Sequence, residues 1–341
     1  MLQTVSGSRV IGGTQLAAYR FMLRARLLDE KFAALYRAGK IHGGVFLGRG
    51  QEALSAAIGV SLNKSDVFAP LIRDGAGRLA FGEPMIDAVR TYLGSALGPM
   101  RGRDGNVHRG NPQEGLLPMI SHLGAMISVV NGILFARRMK GVSGSVGAAC
   151  LGEGATSTGS FHEALNQAAV EKLPLVLVVA NNQYAYSTPN DRQFACNDLA
   201  DKAIGYGVES YSVTGNELLA CLEVVGTAVA RARAGHGPQL VVANLLRLCG
   251  HGEHDDAGYI APELKNSPLG RDCLKLARIF CSRKKSPMQR SLPSGAAKSS
   301  AKSKTPSPKS SANPRLIHLP KNGRRFQRTI WPRVANNFHP T

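Results

Sequence analysis

Residues 175–180 read LVLVVA, six consecutive apolar residues held between Pro174 and Asn181. A strand with one wet face alternates polar and apolar residues, so an unbroken run this short reads as a strand buried on both faces. A helix-like stretch at 160–172 precedes it, and a small apolar run at 146–151 precedes that. Strand, helix and buried strand make a crossover unit, the connection that parallel strands require. Residues 217–234 repeat the helical pattern and 239–246 the apolar run. The alternation predicts an α/β fold, a mostly parallel sheet with helices on both faces.

Upstream, Leu28, Phe32 and Leu35 stand at helical spacing between a cap at Thr14 and a stop at Gly39, which predicts one long amphipathic helix. A glycine-dense loop at 43–50 feeds a helix-like stretch at 51–62, and the Gly-, Arg- and Pro-rich segment 98–116 reads as a surface loop. After Leu276 the periodicity ends. Ser, Lys, Pro and Ala dominate through Pro314, a composition that cannot bury a core and reads as disordered. The chain thus divides into an N-terminal extension (1–13), an α/β domain (14–276) and a basic, low-complexity tail (277–341).

Charge follows the same division. Of 42 Lys and Arg, sixteen stand in 273–341, which holds no Asp or Glu, so 26 basic residues face 23 acidic ones in the first 272. The near-neutral body offers no nucleic-acid surface, and long-range attraction belongs to the tail alone. The six cysteines form no CxxC pair, and the first thirteen residues lack both a signal-peptide core and an Arg-rich transit pattern. No apolar run is long enough to span a bilayer. A reduced, cytoplasmic setting without membrane attachment is expected.

In parallel α/β sheets ligands sit beyond the carboxyl ends of the strands, where loops lead into helices with free amides that favour phosphate. Two such ends are GEGAT at 152–156 and NNQY at 181–184. They project Glu153, Asn181 and Asn182 from strands joined by a single crossover. Oxygen donors of this kind suit Mg²⁺, and the glycines allow close approach of a diphosphate.

The run CLGEGATSTGSFHEALNQAAVEKLPLVLVVANNQYAYST resembles the thiamine-diphosphate motif in the alpha subunits of pyruvate, branched-chain 2-oxo acid and acetoin dehydrogenases. The likeness extends to GQEA at 50–53, GRDGNVH at 102–108, ISHLGAMISVVNG at 120–132, RLCGHGEHDD at 247–256 and PLGRDCL at 268–274, and so covers about 14–276. It implies that Asn182, the carbonyl of Tyr184 and Glu153 hold Mg²⁺. Glu153 stands where the family usually has Asp, so the extra methylene must be absorbed by a shifted loop or a water. It implies further that Gly152, Gly154 and Ala155 approach the diphosphate, and that Arg73 and Arg247 bind its charge. Ser121 and Leu123 would touch the cofactor, Tyr186 would prop the thiamine in its bent shape, and His251 would be the catalytic active-site histidine, itself in contact with the cofactor. His254, Asp255 and Asp256 lack a ligand spacing that would make them a second metal cluster. Residues 251–261 hold no Ser or Thr, so control by phosphorylation at this loop is not expected.

The resemblance implies an oxidative decarboxylation of a 2-oxo acid, pyruvate first, with the acyl group passing to the lipoyl arm of a partner dihydrolipoamide acyltransferase. A branched-chain oxo acid or acetoin is the alternative substrate. It also implies a separate beta subunit, which supplies the carboxylate on the aminopyrimidine ring and completes an α2β2 assembly. The other class of reading is a non-catalytic α/β protein whose basic tail binds nucleic acid. For the tail itself three readings stand open: a reading-frame shift near Ala277, a genuine basic arm, and a merely solvated charge run.

Overall fold

The apolar runs pair as the alternation requires. A computed structural model of the protein describes residues 11–104 and 107–283. The expectations for 1–10 and 284–341, most of the extension and the tail, lie outside the described residues. The main strands are β1 (Val67–Ala69), β2 (Gly147–Gly152), β3 (Leu175–Asn181), β6 (Glu209–Thr214) and β7 (Gln239–Asn244). They form one sheet in the order β1-β2-β3-β7-β6, and every pair in it is parallel. A small antiparallel hairpin, β4 (Tyr184–Ala185) with β5 (Thr188–Pro189), follows β3.

Period-two alternation splits the strand side chains between two helical layers. On one face Ala149, Leu151, Leu175, Leu177 and Val179 pack against α5 (Ala125–Met139) and α6 (Gly159–Val170) through Ile127, Val130, Phe161 and Leu165. On the other, Ala148, Cys150, Val176, Val178 and Val241 meet α2 (Glu52–Ser61) and α7 (Leu218–Arg233) through Leu54, Ile58, Cys221 and Val225. The run at 175–180 is buried throughout, as a strand between two layers must be. Each large apolar side chain so placed contributes about 1.5–3 kcal/mol.

The long N-terminal helix α1 (Ile11–Arg37) lies over α2 and over α3 (Gly75–Phe81), and α4 (Met85–Tyr92) follows α3. Beyond the sheet come the single turn α8 (Pro262–Lys265) and α9 (Cys273–Arg283). The helix α9 carries regular structure past the 276 boundary expected from composition. Its first turn explains why: Cys273 and Ala277 are buried in the cluster that α1 and α2 form with Ala18, Met22 and Ala53. A polar clamp backs this packing. Arg26 donates to Glu52 at 2.6 Å and makes two 3.0 Å bonds to Asp272, while the Cys273 thiol lies 3.0 Å from Glu52. Among the described residues no helix is long and apolar enough to cross a membrane.

Candidate cofactor and active site

Because the sheet is parallel, its strand ends open at one edge. The register sets Gly152 beside Ala180 and Asn181 beside Asn244, so the loops after β2, β3 and β7 leave the sheet almost level. The loop after β1 carries Arg73 to the same edge. These segments enclose a cavity of about 360 Å³. Arg73, Leu123, Gly152, Glu153, Gly154, Ala155, Asn182, Tyr184, Tyr186, Arg247 and His251 all line it.

Ser121 does not reach the cavity. Residues 121–124 turn into α5 through Gly124, whose φ of 82° is left-handed, and this turn brings Leu123 to the wall but leaves Ser121 exposed in solvent. Five further lining residues, Gln51, Leu71, Ile72, Ala180 and Ala185, were not expected from sequence. Gln51 is the second residue of the GQEA stretch, the one signal that pointed towards it.

The floor is built from oxygen donors. Glu153 is 1% exposed, and its Oε2 accepts the Asn182 N–H at 3.2 Å. Glu153 Oε1 and Asn182 Oδ1 are buried and find no partner in the protein. Two unsatisfied acceptors on neighbouring strand ends are costly by themselves and match the donors of a hard cation. Burial pushes the Glu153 carboxyl above the usual carboxylate range, and N–H groups including that of Asn182 only partly offset it. The turn that carries Glu153 is pinned locally, with Thr156 Oγ1 donating to the Glu153 carbonyl at 2.7 Å. The Tyr184 carbonyl accepts from Arg247 Nη1 at 3.2 Å.

Two guanidinium groups supply the opposite charge. Arg247, 2% exposed, donates to the carbonyls of Cys249 at 3.1 Å and Tyr186 at 2.6 Å, as well as to the Tyr259 hydroxyl. Arg73, 5% exposed, donates to the Leu47 carbonyl at 2.8 Å and the His251 carbonyl at 2.6 Å. Among the described residues neither is ion-paired to a carboxylate. Burying a guanidinium without a counter-charge is expensive, and burial lowers the Arg73 pKa to about 10. A cavity flanked by two such groups is an anion site in waiting.

The upper wall is apolar. Leu123 and Tyr186 are 52% and 50% exposed, large hydrophobic groups left open at the cavity. Tyr186 heads the hairpin turn with φ of 55°, a left-handed conformation that a bulky residue adopts only where its surroundings enforce it. Its ring lies 4.5 Å from that of His251, which also meets Phe46 edge-on at 5.4 Å. His251 is held by its backbone: its N–H donates to Asp255 Oδ2 at 2.5 Å, and Arg73 takes its carbonyl. The same Asp255 oxygen accepts the Tyr259 hydroxyl at 2.6 Å. Burial first, and then the positive charges of Arg73 and Arg247, lower the His251 pKa to about 4, so its ring is neutral near pH 7. Asp255 is thus a brace for the histidine loop, and among the described residues no cluster of three or more His, Cys, Asp or Glu suits a metal.

The glycines differ in what they permit. A Cβ on Gly154 would lie 2.6 Å from the Ala185 Cβ, whereas one on Gly152 would meet nothing within 4 Å. Gly154 therefore lets the hairpin close against the β2 loop. Gly154→Ala is expected to destabilise the protein by about 1–3 kcal/mol, the usual effect of overpacking. Gly152→Ala should stay within about 0.5 kcal/mol of the parent. Urea unfolding of the two variants checks the contrast, and equal midpoints would remove the steric role of Gly154.

The chain also resembles known proteins over most of its length. Residues 19–282 match the family described as dehydrogenase E1 component. The chain is 34% identical over 264 residues to the alpha subunit of acetoin:2,6-dichlorophenolindophenol oxidoreductase from Cupriavidus necator, covering 77% of this chain and 79% of that one. It is 37% identical over 242 residues to the 2-oxoisovalerate dehydrogenase subunit alpha of Bacillus subtilis, covering 70% and 72%. It is 32% identical over 266 residues to the pyruvate dehydrogenase E1 component subunit alpha of Porphyra purpurea, covering 76% and 77%.

Proposed function

The chain belongs to the dehydrogenase E1 component family as the alpha subunit of a 2-oxo acid dehydrogenase, and from that premise we propose that its strand-end cavity holds thiamine diphosphate and Mg²⁺. One observation carries the reading: two unpartnered buried oxygens and two buried guanidinium groups without carboxylate partners share a single cavity. Mg²⁺ and a diphosphate held there together would satisfy all four. Glu153 and Asn182 would hold the Mg²⁺ through their free oxygens, with the Tyr184 carbonyl as third donor. Arg73 and Arg247 would neutralise the diphosphate, and the open space over Gly152 admits it beside Gly154 and Ala155.

When bound, thiamine diphosphate supplies a nucleophilic carbon for the keto group and an electron sink for the departing CO₂. The chain's own residues bind and orient. Leu123 and Tyr186 offer apolar contact to the rings and exclude water. Neutral His251 can donate one hydrogen bond and accept another, which suits it to moving a proton as the acyl group leaves for a lipoyl arm. The remaining carboxylate that the chemistry needs would come from a beta subunit, and the assembly would work in the cytoplasm. Pyruvate is the first substrate to test. A branched-chain 2-oxo acid and acetoin are the alternatives, because relatives named for all three substrates match the chain at 32–37% identity.

Calorimetry of the chain, alone and co-expressed with a beta subunit, tests the reading with Mg²⁺ and thiamine diphosphate as titrants. Heat of binding is expected, with CO₂ release from pyruvate or a branched-chain oxo acid in the two-chain preparation. No heat and no CO₂ in either preparation would overturn it.

A further inference from the structure

Arg73 is the buried cation farthest from any explanation in the motif, because the groups that orient it come from distant segments. Its Nη1 donates to the Leu47 carbonyl at 2.8 Å. The other end of that same peptide unit, the Gly48 N–H, donates to Asp29 Oδ2 at 2.7 Å. One peptide plane is therefore gripped at both ends, by a guanidinium on its carbonyl and a carboxyl on its amide. The peptide dipole is aligned favourably with both groups. The loop has no slack there: a Cβ on Gly48 would stand 2.6 Å from the Arg73 carbonyl oxygen and 3.6 Å from Asp29 Oδ2.

The separation matters as much as the contact. A carboxylate placed directly on Arg73 would compete with an incoming anion for the guanidinium. With a peptide between them, Asp29 fixes the carbonyl that aims Arg73 while leaving the rest of the guanidinium to the cavity and to the His251 carbonyl at 2.6 Å. We propose that Asp29, on α1, is the positioning residue for the anion-binding Arg73, acting through the Leu47–Gly48 peptide. The proposal rests on the reading of Arg73 as a diphosphate ligand. Removal from water raises the Asp29 pKa to about 7. Either protonation state leaves an oxygen to accept the Gly48 N–H, so the grip does not depend on its charge.

A double-mutant cycle on the full chain tests this, with Mg²⁺-pyrophosphate and thiamine diphosphate as calorimetric probes. Asp29→Ala should weaken both probes about tenfold, and Asp29→Asn, which keeps an acceptor, should stay within about twofold. Arg73→Gln should weaken them by at least about tenfold, and adding Asp29→Ala to Arg73→Gln should cost nothing more. A general loss of structure would add to the Arg73 effect instead. Additive losses, or an Asn variant as weak as the Ala variant, would overturn the Asp29 role while leaving Arg73 in place. Wild-type pyrophosphate affinity in Arg73→Gln would overturn the reading of Arg73 itself. If Asp29→Ala does not fold, Asp29→Ser carries the same cycle.

Discussion

Glu153→Gln is expected to lower the Mg²⁺-dependent affinity for thiamine diphosphate by at least about 100-fold, the upper end of what losing even an outer-sphere metal partner costs. The fold should not suffer. The glutamine carbonyl can still accept the Asn182 N–H, and the substitution removes an ionisable group from a position that is 1% exposed. The sign of the pH effect follows from the raised pKa of this carboxyl. Above its unfolded pKa of about 4.3 the unfolded chain gives up a proton that the folded chain retains. Without a cation, the Glu153 contribution to stability therefore falls as pH rises through that window. Mg²⁺ should displace the retained proton and restore the loss. Melting curves between about pH 4.5 and 7.5, with and without Mg²⁺ and cofactor, check both halves. A Glu153→Gln protein that retains full Mg²⁺-dependent affinity would remove this carboxylate from the metal site.

The second large effect is expected at His251. His251→Asn should lower kcat by about 10²–10⁴-fold, the range of a lost general acid or base, and leave cofactor affinity nearly unchanged. The histidine touches Tyr186 and Phe46 at the apolar end of the cavity, away from the Glu153 and Asn182 floor, so the loss should fall on turnover. With its pKa lowered to about 4, the ring stays neutral from about pH 5.5 upward, and no break in the rate profile between about pH 6 and 7 should belong to it. The stability sign is the opposite of that for a histidine with an acidic partner. Between about pH 6.5 and 4 the unfolded chain takes up a proton that the folded site refuses, so its stabilising effect is complete above that range and is lost on acidification. Steady-state kinetics at saturating cofactor, paired with melts across this range, separate the two effects. Equal loss of cofactor affinity and kcat would make His251 a structural prop of the cavity.

The parts of the fold that were legible in the sequence are those whose burial is uniform. Residues 175–180 could only be a strand covered on both sides, and the crossover before it required a parallel neighbour. The edge strands were harder to see for the same physical reason. β6, ESYSVT, lies at the sheet margin with mostly accessible side chains, and β1 is only three residues long. β1 is too short to show a pattern, and the exposed strand β6 carries only two large apolar side chains, Tyr211 and Val213. Of the site, the strand-end residues Glu153 and Asn182 were legible because chemistry and turn geometry coincide there. Ser121 stands apart from the other expected residues, exposed and outside the cavity lining, and a motif position alone cannot report the left-handed turn at Gly124 that follows it. Asp29 was invisible because the group it holds, the Gly48 amide, lies nineteen residues away. Asp255 looked like part of an acidic cluster, and only the distances to the His251 N–H and the Tyr259 hydroxyl make it a brace.

The clamp formed by Arg26, Glu52, Asp272 and Cys273 also joins the first described helix to the last, across 246 positions of sequence. The helix α9 is anchored at its first turn to α1 and α2. Such an arrangement closes the described fold like a clasp, so that a break at Arg26 would loosen α1 and α9 together.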